Sequence, residues 1–219
     1  MTQSHKILAI DGMNFLHRAR SGFNLGDYPV CFNFFRNLRA LVELHKPSRV
    51  YLVMEGHPKH RYDILPEYKA NRHIVGHPDD PEVAKKVAER DSFFRQVDLI
   101  VGLVSKHFPV SVIKHPEFEC DDVIYNLIKR STTAVPWVVA SNDSDFTQLL
   151  NEFEHVELYN PFTKTFVTEP EFDYVTWKAL RGDGSDNIPG IPGVGDKKAD
   201  ELVSDPEKDR KSTRLNSSH

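Results

Sequence analysis

Only two cysteines, Cys31 and Cys120, occur among 219 residues. They cannot build a disulfide framework, so a reducing, cytoplasmic compartment is the expectation. Long apolar runs are missing as well. No stretch approaches the roughly 18–20 residues that a membrane span needs, and the apolar segment KILAI near the N-terminus is too short for a secretory leader. His57, His60, His73 and His77 cluster among 11 histidines, but no CxxC or HExxH accompanies them. They read as surface-loop residues rather than a zinc set. Neither sign of charge dominates, with 28 Lys and Arg against 32 Asp and Glu. Membrane, disulfide-knot, collagen-like and wholly disordered classes are thereby excluded. With 39% apolar and 27% charged residues, what remains is a globular chain of one large domain, or one domain with a small appendage.

The net charge of −4 hides an asymmetry. Residues 1–95 carry 15 basic and 11 acidic side chains, whereas residues 119–186 carry 5 and 13. Such a split is either a solvated surface or a gathering of carboxylates that holds cations while a basic face meets an anion.

Short apolar segments alternate with helical patterns. Lys6–Ile10, Arg49–Met54, Val110–Ile113 and Trp137–Ala140 read as buried strands. Cys31, Phe35, Leu38, Leu41 or Val42 and His45 recur at helical spacing between the first two. A long helix is expected to start at the cap Asp80 with Pro81 in its first turn, its stripe being Val83, Val87, Phe94, Val97, Val101, Val104 and Phe108. Further helices are expected over Asp121–Arg130 and Asp145–Asn151, and a peripheral strand pair over His155–Asn160 and Thr163–Val167. The pattern predicts an α/β fold, a mainly parallel twisted sheet flanked by helices. Two stretches break it: an exposed excursion at Gly56–Pro78, and the glycine-rich loop Gly182–Gly195, which leads into a short helix over Lys197–Val203. The tail from Asp205 to His219 is polar and aperiodic, and disorder is expected there.

In open α/β sheets, ligands gather at the carboxyl ends of the strands. Asp11 ends the first strand and Glu55 follows the second. Asp143 and Asp145 follow the fourth. A loop after the third delivers Glu119, Asp121 and Asp122 at a helix start. These seven acids would share one rim, with Asp183 and Asp186 of the glycine-rich loop as additional candidates. Taken singly, several also fit a plainer role: a turn or helix cap at Asp11, Asp143 or Asp145, favourable charges at a helix N-terminus at Asp121 and Asp122, and loop acids at Asp183 and Asp186. Taken together, so many carboxylates raise one another's pKa unless counter-charge is present. Mg2+ or Mn2+, hard ions that prefer oxygen ligands, would supply it. Two such ions about 4 Å apart can drive phosphodiester hydrolysis.

Five blocks, in order, resemble the flap endonuclease/5′→3′ exonuclease family in its bacterial and bacteriophage branch. ILAIDGMNFLHRA resembles the first-strand Asp block and LPEYKANR the YKxNR-type segment. FECDDVI resembles the EADD block, SNDSDFTQLL the GDxDxxQL block, and GDGSDNIPGIPGVGDKKA the GDxSDNIPGxxGxGxKTA block. The resemblance runs from about Lys6 to Leu202. It implies a PIN-like nuclease domain over residues 1–181, with a helical arch or clamp at about 56–95. A partial helix-three-turn-helix would occupy 182–204.

The resemblance further implies that Asp11, Glu55, Glu119, Asp121 and Asp122 hold one metal, and that Asp143, Asp145, Asp183 and Asp186 hold or orient a second. Lys69 and Arg72 would contact the scissile phosphate, and Tyr68 would offer a ring on which a base stacks. Lys85, Lys86 and Arg90 would touch a threaded 5′ strand, although a solvated helix face explains them equally well. Gly190, Gly193 and Gly195, with Lys197, would bring backbone and charge to duplex phosphates, where K+ is also expected.

The chain departs from the family pattern in three places. Glu55 stands where the family has Asp, displacing the carboxylate by roughly 1.5 Å. Cys120 replaces an Ala and reads as a small apolar filler. The match ends near Val203, and Lys211–His219 reads as foreign sequence.

The expected activity is two-metal hydrolysis of phosphodiesters near single-strand/duplex junctions in DNA, at 5′ flaps or RNA-primed 5′ ends, by a monomer. A PIN-like endoribonuclease would share the acidic rim but lack the GIPGVG loop. A non-catalytic junction binder would bind flaps without metal-dependent turnover.

Overall fold

A computed structural model of the chain describes residues 5–24, 26–72, 77, 79–131 and 135–204. His73 and the tail from Asp205 to His219 lie outside the described residues. The chain divides into two compact units, one of residues 1–60 and 73–167, the other of residues 61–72 and 168–219.

The larger unit is built on a six-stranded sheet of order β3-β2-β1-β4-β5-β6. Its strands are β1 (Ile7–Asp11), β2 (Arg49–Met54), β3 (Val110–Lys114), β4 (Trp137–Ala140), β5 (Val156–Asn160) and β6 (Thr165–Phe166). The first five run parallel, and only β6 is antiparallel, to β5. The four central strand expectations hold, and so does the peripheral pair. Parallel strands covered on both faces read as near-continuous apolar runs, which is what made them visible.

Alternation sorts their side chains. Leu8 and Ile10 of β1, Val50, Leu52 and Met54 of β2, and Val138 and Ala140 of β4 enter one core with helices α1 (Gly12–Arg20), α2 (Pro29–His45) and α4 (Pro81–His107). Ala9, Val53, Trp137 and Val139 enter a second core with α5 (Cys120–Lys129) and α6 (Gln148–Glu152). Each fully buried side chain, such as Leu52 or Ile124, contributes roughly 1.5–3 kcal/mol.

Two helical details correct the sequence reading. The Asp80 side chain does cap α4, accepting from the Glu82 N–H at 2.9 Å, with Pro81 first in the helix. Its buried stripe, however, is Phe93, Gln96, Val97, Ile100 and Val104, while Phe94 and Phe108 are exposed. The stripe is therefore confined to the C-terminal half, and the N-terminal half has no core to face. Helix α1 was not anticipated, because its apolar face is brief: Phe15, Leu16 and Ala19.

The smaller unit contains a 3₁₀ turn at Ala70–Arg72, helix α7 (Tyr174–Arg181), a hairpin of β7 (Gly182–Asp183) and β8 (Ile188–Pro189), and helix α8 (Asp196–Ser204). Helix α3 (Lys59–Ile64) crosses the division in the chain, within the stretch expected as an excursion. Helix α7 packs on α8 through the buried Ala199 and a 2.7 Å bond from Trp177 Nε1 to Asp200. The glycine-rich loop is thus folded as a hairpin between two packed helices. At Gly190 a Cβ would come within 2.1 Å of the Arg181 carbonyl oxygen, so that crossing admits only glycine.

Candidate metal centre and nucleic-acid interface

Because β1, β2, β3 and β4 are parallel, everything that follows their carboxyl ends arrives at one edge of the larger unit. The seven rim acids are all delivered there. Asp11 ends β1 and caps α1, its Oδ1 accepting from the Asn14 N–H at 3.1 Å. Its Oδ2 accepts from the Ser141 hydroxyl at 2.8 Å. Ser141 in turn accepts from the Asp143 N–H at 3.0 Å, and the Asp143 carboxylate accepts from the Asp145 N–H at 3.0 Å. The end of β1 and the turn after β4 are therefore locked into one network.

Glu55 leaves β2 and reaches the start of α5, where its Oε2 accepts from the Cys120 N–H at 3.2 Å. Its extra methylene spans to the helix N-terminus, a favourable place for a carboxylate. The next residue must be glycine, since a Cβ at Gly56 would come within 2.0 Å of the His115 carbonyl oxygen. Glu119 is buried at the head of α5, and its N–H donates to Asp122 Oδ2 at 3.3 Å. Asp122 thus also acts as a cap, the plainer role its position allowed. Asp121 and Asp122 are half-buried and Asp143 is exposed. Cys120 is buried, as a filler should be. Burial, followed by the charges of Asp11 and Glu55, pushes its thiol well above the ordinary range and away from thiolate chemistry.

Asp11 carries the electrostatic signature of the rim. Burial, with smaller contributions from the charges of Glu55 and Asp143, raises its pKa to about 7 against the bonds from Asn14 and Ser141. With a pKa of about 7 the group is roughly half protonated at neutral pH, and a cation among these acids would favour its ionised form. Among the described residues, no histidine takes part in a group placed to hold a metal ion.

In the smaller unit the acids are already compensated. Burial would raise Asp183, but the Lys178 ammonium and two hydrogen bonds from Ser185, at 2.8 and 2.6 Å, outweigh it and hold the carboxyl well below the usual range. Asp186 is buried and pairs with Arg72, with Lys69 Nζ at 3.8 Å and with the Tyr68 hydroxyl at 3.0 Å. The Lys69 N–H also donates to the Asp186 carbonyl at 2.9 Å. The expected phosphate ligands Lys69 and Arg72 are thus oriented by an acid of the glycine-rich loop. Tyr68 corrects its expected role. It is 3% exposed, with Lys69 Nζ 5.0 Å and Arg61 5.8 Å from its ring centroid. Its hydroxyl anchors Asp186, and its ring is not presented for stacking.

Lys85, Lys86 and Arg90 lie on the exposed N-terminal half of α4, with Arg90 3.3 Å from Asp91. Gly193 (φ 78°) and Gly195 have open space where a side chain would be, and Lys197 is exposed. Sequence reasoning missed Ser141, Asn14 and Lys178. A serine two residues before Asp143 was the one signal available for the first.

The mostly parallel sheet, with acids collected at its carboxyl edge, is the α/β architecture that the sequence pattern predicts. Residues 6–177 match the family model described as the 5′-3′ exonuclease, N-terminal resolvase-like domain, and the chain belongs to that family. A 5′-3′ exonuclease of Mycobacterium tuberculosis is 29% identical over 190 residues, covering 78% of this chain and 58% of that protein. One from Bacillus subtilis is 30% identical over 224 residues, covering 91% of this chain and 70% of that protein. The chain thus spans little more than half the length of the mycobacterial relative. The bacteriophage T5 flap endonuclease, solved as a pseudo-enzyme-product complex with DNA and metal ions, superposes with a TM-score of 0.74 over 91% of this chain and 74% of that one. At 21% identity the likeness establishes the shared fold.

Proposed function

We propose that the chain is a structure-specific 5′ nuclease that hydrolyses phosphodiesters near single-strand/duplex junctions of DNA. The observation that carries this reading is the rim of acids around Asp11, whose carboxyl is held near neutrality by burial and by Glu55 and Asp143. An all-oxygen set of ligands short of positive charge suits Mg2+ or Mn2+. Bound there, such ions would supply Lewis acidity for water attack and charge for the leaving oxygen.

The protein's own part is positioning. Asn14 and Ser141 fix the two oxygens of Asp11, and the Cys120 N–H fixes Glu55. Glu119, Asp121 and Asp122 complete the first metal set from the head of α5. Asp143 and Asp145 serve a second. In the smaller unit, Asp186 aligns Lys69 and Arg72 to meet a phosphate. Lys85, Lys86 and Arg90 serve a 5′ strand within the clamp at 56–95. Gly193, Gly195 and Lys197 serve a duplex backbone, with K+ as a second cofactor. Gly190 serves by keeping the hairpin closed. The substrates are 5′ flaps and RNA-primed 5′ ends, met by a monomer during replication or repair in the cytoplasm.

The test is cleavage of a 5′-labelled flap duplex with Mg2+, beside an EDTA control and the variant Asp143→Ala/Asp145→Ala. Metal-dependent cutting near the junction that the variant abolishes is expected. Binding without cutting by the parent chain would replace this reading with a non-catalytic junction binder. Cutting confined to RNA would replace it with an endoribonuclease.

A further inference from the structure

We infer that the cleft between α1, α2 and the β5–β6 turn, lined by Arg18, Arg36 and Lys164, is a second phosphate site that grips the nucleic-acid backbone beside the carboxylate rim. It lies wholly within the larger unit and has a volume of about 540 Å³. Its floor is apolar, with Phe15, Leu41 and Tyr159, and no carboxylate lines it.

Some basic side chains of this unit pair with acids: Lys6 with Glu157 at 3.0 Å, Arg39 with Glu43 at 2.7 Å and Arg20 with Glu89 at 3.4 Å. Among the described residues, no carboxylate lies within salt-bridge distance of Arg18, Arg36 or Lys164. The guanidinium groups are nevertheless held in place. Arg18 donates to the Pro161 carbonyl and lies 4.9 Å from the Phe162 ring centroid. Arg36 lies 4.6 Å from that of Phe23. Burial lowers the Arg18 pKa, Tyr159 offsets part of that, and the charge of Arg36 lowers it somewhat, so the two guanidinium groups feel one another. Lys164 has φ 60°, a left-handed conformation that lysine seldom adopts. Cations placed together, preorganised and without a counter-charge, describe an anion site.

Its place in the fold identifies the anion. Pro161 and Lys164 directly follow β5, and so stand at the edge that carries Asp143 after β4. Arg18 lies two helical turns along α1 from Asp11, about 10 Å, which is roughly three nucleotide steps along a duplex axis. A strand engaged at the rim would bring a phosphodiester to the cleft. This inference rests on the nuclease reading, because it takes the rim as the place where DNA is engaged.

The test compares the parent chain with Arg36→Gln/Lys164→Gln, both exposed positions, by fluorescence anisotropy with a labelled flap duplex in EDTA across a salt series. Affinity about tenfold weaker near 0.1 M salt is expected, with the slope of log K against log salt shallower by about 2. Arg36→Lys should restore most of both, separating charge from packing. Unchanged affinity and slope in the double variant would overturn the cleft and leave the nuclease reading standing. A parent chain that binds no flap duplex would overturn both. Calorimetry with inorganic phosphate forms the remaining arm: phosphate binding lost in the variant, with the DNA slope unchanged, would overturn the nucleic-acid assignment.

Discussion

Asp11 in the larger unit and Asp183 in the smaller are both buried aspartates, 6% and 8% exposed. Burial, helped by the nearby acids Glu55 and Asp143, raises the first to about 7. Lys178 and Ser185 pull the second well below the ordinary value. Asp186 is likewise paired, with Arg72 and Lys69. The difference separates two uses of the same side chain. A carboxylate whose charge is cancelled within the fold orders its neighbours, whereas one left without counter-charge stores a repulsion that an arriving cation relieves. In the proposed reading the rim around Asp11 receives a cation, while Asp183 and Asp186 are also ordered by partners within their own unit.

The most severe way to break the comparison is Asp11→Asn, which keeps the shape and removes the charge. Cleavage should fall by at least about a hundredfold, while the metal-free protein becomes more stable. The sign follows from linkage. A folded-state pKa near 7 against an ordinary 3.8 means that stability due to the protonated group is full at low pH and drains as pH rises from about 4 to about 7. The variant's advantage should therefore be absent at pH 4 and fully developed at pH 8, by as much as about 4 kcal/mol. Thermal melts in EDTA at the two pH values check it, and Mg2+ should narrow the gap by stabilising the parent.

Gly190→Ala attacks the other side. The new methyl would meet the Arg181 carbonyl oxygen, prising the hairpin from the end of α7 at a cost of about 2–3 kcal/mol. Asp183 and Asp186 would lose their setting while Asp11 and Ser141 keep theirs. Chemical denaturation should show the loss. Proteolysis should localise it to residues 168–204.

Lys178→Met is milder and carries the opposite pH signature to Asp11→Asn. Asp183 would keep its serine bonds and lose its cation, at about 1–2 kcal/mol. Because its folded pKa is depressed, that contribution is present above the ordinary 3.8 and lost as pH falls below it. Melts at pH 7 should separate variant from parent, and the gap should begin to narrow only as pH falls below the ordinary 3.8 toward the depressed folded value. Two aspartates would then have been read by titration with opposite signs.

The contrast between the regions also governs what could be read from the sequence. Strands β1 to β4 were legible because parallel strands covered on both faces are short apolar runs, and their ends placed seven acids at one edge. The Asp80–Pro81 start of α4 was legible because cap and first turn are local chemistry. What failed was long-range or compressed. Asp11 is held by Ser141, 130 residues away, and nothing local in either residue announces the other. The stripe of α4 continued in sequence past the end of the core it faces. Tyr68 was given a stacking role by the resemblance, but Asp186, 118 residues on, takes its hydroxyl. The hairpin inside Gly182–Gly195 has strands of two residues each, too short for any periodicity.

Glu55→Asp makes the smallest change and the sharpest test of how the rim was assembled. The shorter side chain would move the carboxylate back by roughly 1.5 Å. It would release the Cys120 N–H at the head of α5, now bonded at 3.2 Å, and set the charge nearer β2. Losing that contact should cost stability by about 0.5–1 kcal/mol. Activity, by contrast, should hold or rise within a few-fold, because an aspartate at the end of the second strand is the arrangement the family pattern carries. Steady-state cleavage and a melt on the same sample read the two effects separately. A severe loss of cleavage with the fold intact would mean that Glu55 acts through its reach to α5, and that the rim of this chain is organised around that helix start rather than around the strand ends alone.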